Sequence, residues 1–218
     1  MKKACIFDLD GTLTDTLDSL TFSVNATLKE MGLGSITREQ CRSFVGDGAR
    51  CLIERSLRVS GDESLVRIEE GMRIYGRIFK ENCNYHVKPY EGVCKTLEAL
   101  KFRGIRLAVL SNKPHPQTID VVETFLGKEI FDRIQGQCED FPRKPDPTAV
   151  RDILCKFKVK PGECIYIGDS EVDMKTGKAA GVFTVGANWG FRSRELLEQN
   201  GADVTIDHME ELLQLIVT

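Results

Sequence analysis

Two aspartates, Asp8 and Asp10, stand two residues apart where a short apolar run ends in Asp8-Leu9-Asp10-Gly11-Thr12. Much later come Ser111-Asn112, then Lys144 in Arg143-Lys144-Pro145-Asp146-Pro147, then Gly168-Asp169 with Asp173 shortly after. Together these residue types suit phosphoryl transfer. A phosphate monoester repels an anionic nucleophile, so a carboxylate can attack it only where that charge is neutralised. Magnesium takes oxygen ligands, usually one or two carboxylates with phosphate oxygens and water. Asp8 and Asp169 can supply the carboxylates. Lys144 can pair with the phosphoryl oxygens and the nucleophile, while the Ser111 hydroxyl and nearby backbone N–H groups hold the equatorial oxygens. The leaving oxygen needs a proton and the attacking water must lose one, and Asp10 can do both. Singly, each piece has a plainer use as a turn, a helix cap or solvated surface. The set, in this order, is what points to chemistry.

The elements that would carry these residues follow from hydrophobic spacing. Residues 4–9 read as a buried strand of the kind found in parallel sheets. From Thr16 the period becomes helical, with Leu17, Leu20, Val24, Leu28 and Met31 on one face and Gly32 as a stop. Thr37 with Gln40 forms a capping box for a short second helix. Residues 49–59 read as a third, and Asp62 as the cap of a longer one with Leu65, Ile68, Met72, Tyr75 and Phe79 on one face. No strand is expected between residues 16 and 85. After Pro89 helices and strands alternate, with helices at 92–102, 118–126, 146–157, 174–180, 192–199 and 209–216. The strands are expected at 105–110, 130–134, 164–167, 182–185 and near Val204. Alternation of this kind calls for βαβ units, hence an α/β chain with a parallel sheet flanked by helices. In such sheets ligands bind at the carboxyl ends of the strands, where the polar groups above fall. The domain expectation is a discontinuous core, residues 1–14 and 88–218, with residues 15–87 inserted as an all-helical cap domain.

With 218 residues, 41% hydrophobic and 29% charged, the chain has the composition of a soluble globular protein. A net charge of −3 gives no basic field for nucleic acid or anionic lipid, so neither nucleic acid nor membrane is an expected partner. The eight cysteines include no Cys-x-x-Cys pair and no nearby His at ligand spacing, and read as small hydrophobes in a reducing compartment. The N-terminal run is too short for a signal segment, and a cytoplasmic location is expected. His86, His115, His208 and Trp189 read as structural.

Asp8-Leu9-Asp10-Gly11-Thr12-Leu13, Ser111-Asn112, Lys144-Pro145 and Gly168-Asp169-Ser170-Glu171-Val172-Asp173 resemble the four signature motifs of the haloacid dehalogenase-like hydrolase superfamily, over the whole chain. The resemblance implies a Rossmann-like core, a mobile helical cap inserted after the first motif, and an aspartyl-phosphate intermediate. It implies Asp8 as nucleophile and Asp10 as general acid and base, with Lys144 joining them in catalysis. Ser111, Asn112 and Lys144 would bind phosphate. Magnesium would be held by Asp8, the Asp10 carbonyl and Asp169, with Asp173 supporting them. Asp10 places the chain with the phosphatases of the superfamily. The cation-pumping relatives carry Thr there, and the haloalkanoate dehalogenases lack the acid.

Substrate choice in this family is a property of the cap, and the segment Arg42-Ser43-Phe44-Val45-Gly46-Asp47-Gly48-Ala49-Arg50 is the candidate. Gly46 and Gly48 let a backbone approach a ligand and expose N–H groups at a helix start. Asp47 lies between them, and Arg42 or Arg50 could meet a carboxylate. The segment resembles the Val-Gly-x-Gly loop of phosphoglycolate phosphatases, as Trp189-Gly190-Phe191 resembles their Trp-Gly-aromatic turn. The expected activity is therefore phosphoric monoester hydrolysis of a small phosphorylated metabolite, first of all phosphoglycolate. A β-phosphoglucomutase-like phosphomutase and a pyrophosphatase are alternatives on the same scaffold. A non-catalytic binding protein would be expected to have lost one of the motif residues. The oligomeric state is not legible.

Overall fold

The computed structural model describes residues 1–217. The first strand, β1 (Ala4–Phe7), is followed by a two-residue strand β2 (Thr14–Asp15) and four helices. These are α1 (Leu17–Glu30), α2 (Arg38–Phe44), α3 (Ala49–Ser60) and α4 (Ile68–Asn82). The chain returns through β3 (Lys88–Pro89), which pairs antiparallel with β2. It then alternates through α5 (Val93–Phe102), β4 (Arg106–Pro114), α6 (His115–Phe125), β5 (Arg133–Gln137), α7 (Thr148–Phe157) and β6 (Cys164–Gly168). It ends with α8 (Glu171–Ala180), β7 (Phe183–Ala187), α9 (Arg194–Gln199), β8 (Val204–Ile206) and α10 (Leu212–Leu215).

The main sheet has six parallel strands in the order β5-β4-β1-β6-β7-β8. The central strand β1 and its neighbour β6 are almost wholly apolar because both faces are covered. Alternate residues go to opposite sides: Cys5 and Phe7 of β1 join Leu107, Val109, Ile165 and Ile167 in one core layer. Ala4 and Ile6 join Ala108, Leu110, Cys164 and Tyr166 in the other. Helices α5 and α6 close the first layer, and α7 the second. This is the Rossmann-like α/β arrangement expected from the alternating pattern. From β1 the chain runs outward to β4 and β5 on one side, then crosses back to β6, β7 and β8 on the other, so the crevice between the carboxyl ends of β1 and β6 is the sheet's switch point.

The inserted helices bury a separate cluster. Leu17, Leu20, Val24, Leu28 and Met31 of the first helical face pack with Leu52, Ile53 and Leu57 of α3 and Ile74, Tyr75 and Phe79 of α4. Phe191 reaches this cluster from beyond β7. Thr37 and Gln40 form the reciprocal capping box at the start of α2.

Three elements depart from the spacing. Asp62 accepts from the N–H groups of Val66 and Arg67, which holds residues 62–67 as a turn. The long helix therefore begins at Ile68 and leaves Leu65 outside it. The strand expected at 130–134 lies at Arg133–Gln137, because the Asp132 side chain and N–H both bond to Leu107 and fix the register there. Strand β4 does not stop at Leu110. It runs on through Ser111, Asn112 and Lys113 to Pro114, with an irregularity against β5 over that stretch. Such irregularities re-aim side chains at strand ends, here the polar ones.

Thr37→Ala removes one half of the α2 capping box and should cost about 1 kcal/mol of stability. A lower urea midpoint is the expected result, and an unchanged midpoint would show that the box contributes nothing to α2.

Candidate active site

Asp8 follows β1 directly, and its N–H donates to the Ile167 carbonyl at 2.9 Å. Its Oδ1 lies 2.9 Å from Lys144 Nζ, which also donates to Asp173 Oδ1 at 2.7 Å. Asp173 sits in the first turn of α8, capped by Ser170, and accepts from the Tyr166 hydroxyl at 3.1 Å. Asp169 ends β6. It accepts from Thr12 Oγ1 at 3.0 Å and from the Phe191 N–H at 2.7 Å. Gly11 and Gly190 press against this carboxylate so closely that a Cβ on either would overlap it. Asp10 turns aside, and its Oδ1 accepts from Lys113 Nζ at 2.9 Å.

Asn112 brackets the loop that carries Lys144. Its Oδ1 accepts from the Lys144 N–H at 2.9 Å, and its Nδ2 donates to the carbonyls of Lys144 at 3.1 Å and Gly46 at 3.0 Å. Both ends of the amide are thus spent on backbone rather than free for phosphate. The Ser111 Oγ accepts from the Lys113 N–H at 3.2 Å, which leaves its own proton available to a ligand in the pocket.

Asp8, Asp169 and Asp173 are all buried, each with a ligand atom within 4.8 Å of the others'. Burial pushes the Asp8 carboxyl well above its ordinary range, reinforced by Asp173 and opposed by Lys144. Burial, with Asp173, pushes Asp169 up to about 7. Lys144 is drawn down by burial, but Asp173 and Asp8 outweigh this and hold it firmly charged. Among the described residues the ion pairs of Asp8, Asp10, Asp169 and Asp173 are with two lysines, Lys113 and Lys144, so the carboxylates outnumber the cations paired with them. Asp8 Oδ1 faces Lys144 yet has no aligned hydrogen bond. An oxygen-only donor set, buried and short of positive charge, fits a hard divalent ion.

The pocket above these groups is lined from the core by Asp8, Asp10, Ser111, Lys113, Lys144 and Asp169, and from the helical segment by Gly46, Gly48 and apolar side chains. The other expected cap residues lie elsewhere. Arg42 donates to the carbonyls of Gly190 at 2.7 Å and Phe191 at 3.1 Å, and so braces the turn after β7. Asp47 pairs with Arg55, and Arg50 points to Glu54 and Glu69 on the exposed side of α3. None of the three lines the pocket, because each has a partner outside it. Residues absent from the sequence reasoning do line it: Lys113, Tyr75, Phe79 and Arg192. Lys113 was findable, since two residues beyond Ser111 in a strand is the same face. His115 accepts from the Gly136 N–H, and Trp189 donates to the Thr12 carbonyl, both structural contacts.

The chain belongs to the haloacid dehalogenase-like hydrolases, whose family model matches residues 5–187. It is 31% identical to a phosphoglycolate phosphatase of Aquifex aeolicus, over 98% of this chain and 96% of that one. A solved chain from Lactobacillus delbrueckii subsp. bulgaricus superposes with a TM-score of 0.90 at 31% identity, covering 99% of both chains. CbbY from Rhodobacter sphaeroides, solved in complex with phosphate, gives a TM-score of 0.80 at 26% identity, covering 97% of this chain and 96% of that one. These likenesses bear out the enzyme class expected from the motifs, a phosphoric monoester hydrolase of the phosphoglycolate phosphatase-like kind.

Asp8 and Asp169 hold their protons more tightly folded than unfolded. For Asp169 the stability this gives is full below the ordinary carboxyl value of 3.8 and is lost as pH rises through about 7. A bound dication reverses that loss, in competition with the protons. Thermal melts should show magnesium raising Tm more at about pH 8 than at about pH 6. An equal shift at both, or none, would contradict the site.

Proposed function

We propose that the chain is a magnesium-dependent phosphatase of a small phosphorylated metabolite, phosphoglycolate first, acting through an aspartyl-phosphate on Asp8. The observation that carries this is Lys144 set between Asp8 and Asp173, beside buried Asp169, at the switch point of the sheet. Asp8 attacks phosphorus and takes the phosphoryl group, while Asp10 protonates the departing oxygen. Asp10 then takes a proton from the water that attacks the aspartyl-phosphate, which releases phosphate and restores Asp8. Lys144 and the Ser111 hydroxyl hold phosphoryl oxygens through both steps. Asp8, the Asp10 carbonyl and Asp169, with Asp173 in support, would hold magnesium, which would supply Lewis-acid neutralisation of phosphoryl charge.

The substrate proposal is supported by the names of the full-length relatives and by a small, largely apolar pocket. We assign residues 15–87 as the cap domain and 1–14 with 88–218 as the core, supported by the separate apolar cluster of the inserted helices. A cytoplasmic setting is supported by eight cysteines, all free. Among the described residues no helix is long and apolar enough to cross a membrane.

Phosphate release from phosphoglycolate, pyrophosphate, sugar phosphates and p-nitrophenyl phosphate, with and without magnesium, tests the activity. Metal-dependent release that favours phosphoglycolate is expected. Preference for pyrophosphate, or faster transfer to a sugar than to water, would overturn the substrate assignment. Asp8→Asn should abolish turnover while the protein still melts cooperatively, and retained activity would sink the nucleophile. Asp10→Ala should slow turnover about 10²- to 10⁴-fold, and unchanged rates would remove its role.

A further inference from the structure

Lys113 is a buried cation with spare capacity. Its side chain is only 1% exposed, yet among the described residues its ammonium makes one hydrogen bond, to Asp10 Oδ1 at 2.9 Å. An ammonium has three donors, so two are left without a protein acceptor in a side chain that lines the pocket. Its ammonium also lies 4.9 Å from the centroid of the Phe79 ring, in a cation–π contact from the helical segment. Burying a charge with unfilled donors is costly unless a ligand fills them.

The other cations of the pocket each have two or more partners. Lys144 is held by Asp8 and Asp173. Arg192 pairs with Glu171 at 3.0 Å and donates to the carbonyls of Arg42 at 2.9 Å and Val45 at 2.7 Å. The inserted helices bring no charged side chain to the pocket. Their wall is Leu20, Val45, Ala49, Leu52, Tyr75 and Phe79, with backbone at Gly46 and Gly48. Lys113 also sits beside Asp10, the group assigned to protonate the leaving oxygen, and so marks the leaving-group end.

We infer that Lys113 is the specificity-determining residue of the pocket: its ammonium receives a carboxylate on the leaving group. It thereby selects short phosphorylated acids over phosphorylated alcohols and sugars. This rests on the phosphatase reading above and identifies what within the pocket reads the substrate. Asp10 stays bonded to one donor while the carboxylate takes the others, so binding costs the acid its partner at no stage. The apolar side chains of that wall exclude water and strengthen the contact.

The test compares kcat/KM for phosphoglycolate and ethyl phosphate, which share a two-carbon leaving group and differ in the carboxylate, at saturating magnesium. Wild type should favour phosphoglycolate by about tenfold to a hundredfold, the scale of a charge-assisted pair. Lys113→Met should reduce that ratio at least about tenfold, mainly through KM for phosphoglycolate. A ratio that stays within about threefold of wild type, with both substrates slowed alike, would mean that Lys113 serves only Asp10 and would overturn the inference. Lys113→Gln, read by the same ratio, replaces the Met variant if that one fails to give a cooperative melt. Wild type acting equally on both substrates would sink the inference and leave the phosphatase standing. Release from neither would remove the phosphatase reading itself.

Discussion

The structure depends on concentrated negative charge at the carboxyl end of one strand. Asp8, Asp169 and Asp173 crowd together in the interior with Asp10 beside them, and among the described residues Lys144 and Lys113 are the cations in ion pairs with these groups. Buried like charges at such distances cannot all ionise without counter-cations. The surroundings supply what a protein can: Tyr166, Ser170, Thr12 and the Phe191 N–H all donate to these carboxylates. What remains uncompensated is the share a metal dication is suited to offset. Burial, reinforced by the neighbouring Asp173, raises the proton affinity of Asp8 and Asp169.

Sheet topology explains why the charge collects there. Strand β1 lies between β4 and β6, and the strand order runs outward on both sides of it, so the loops after β1 and β6 part and open a crevice. Each neighbouring strand delivers one contribution: Ser111 and Lys113 from β4, and Asp169 just past β6. The helical insert covers the crevice with apolar side chains but is fastened by polar contacts at its edge. Arg192 bonds the carbonyls of Arg42 and Val45, Arg143 that of Asp47, and Asn112 that of Gly46. Arg42 returns the contact to Gly190 and Phe191, next to Asp169. The segment read in the sequence as a ligand loop is thus chiefly the seam between lid and core, with Gly46 and Gly48 facing the pocket.

Much of this was legible beforehand. Strands buried on both faces announce themselves as short apolar runs, and the helical face from Leu17 to Met31 follows from spacing alone. Asp8 and Asp169 are readable because each directly follows a buried strand, where topology must bring them together. Cap contacts were not legible. Whether an arginine faces a pocket or a carbonyl depends on tertiary partners such as Gly190, which lie far off in the chain. The continuation of β4 through Ser111-Asn112-Lys113 was missed for a related reason. Polar residues look like a strand's end, yet here the polar stretch is the working part of the strand. Phe79 and Tyr75 carried only a core signal, since pocket wall and core share one chemistry.

The most direct test of the account is where the phosphoryl group goes. The wild-type enzyme, acid-quenched during turnover of phosphoglycolate with magnesium and then reduced with borohydride, would convert an aspartyl-phosphate to homoserine for peptide mass spectrometry. The account predicts that change at Asp8 and at no other residue. Phosphate release during the same turnover, with Asp8 unmodified or with the label on another side chain, would contradict it.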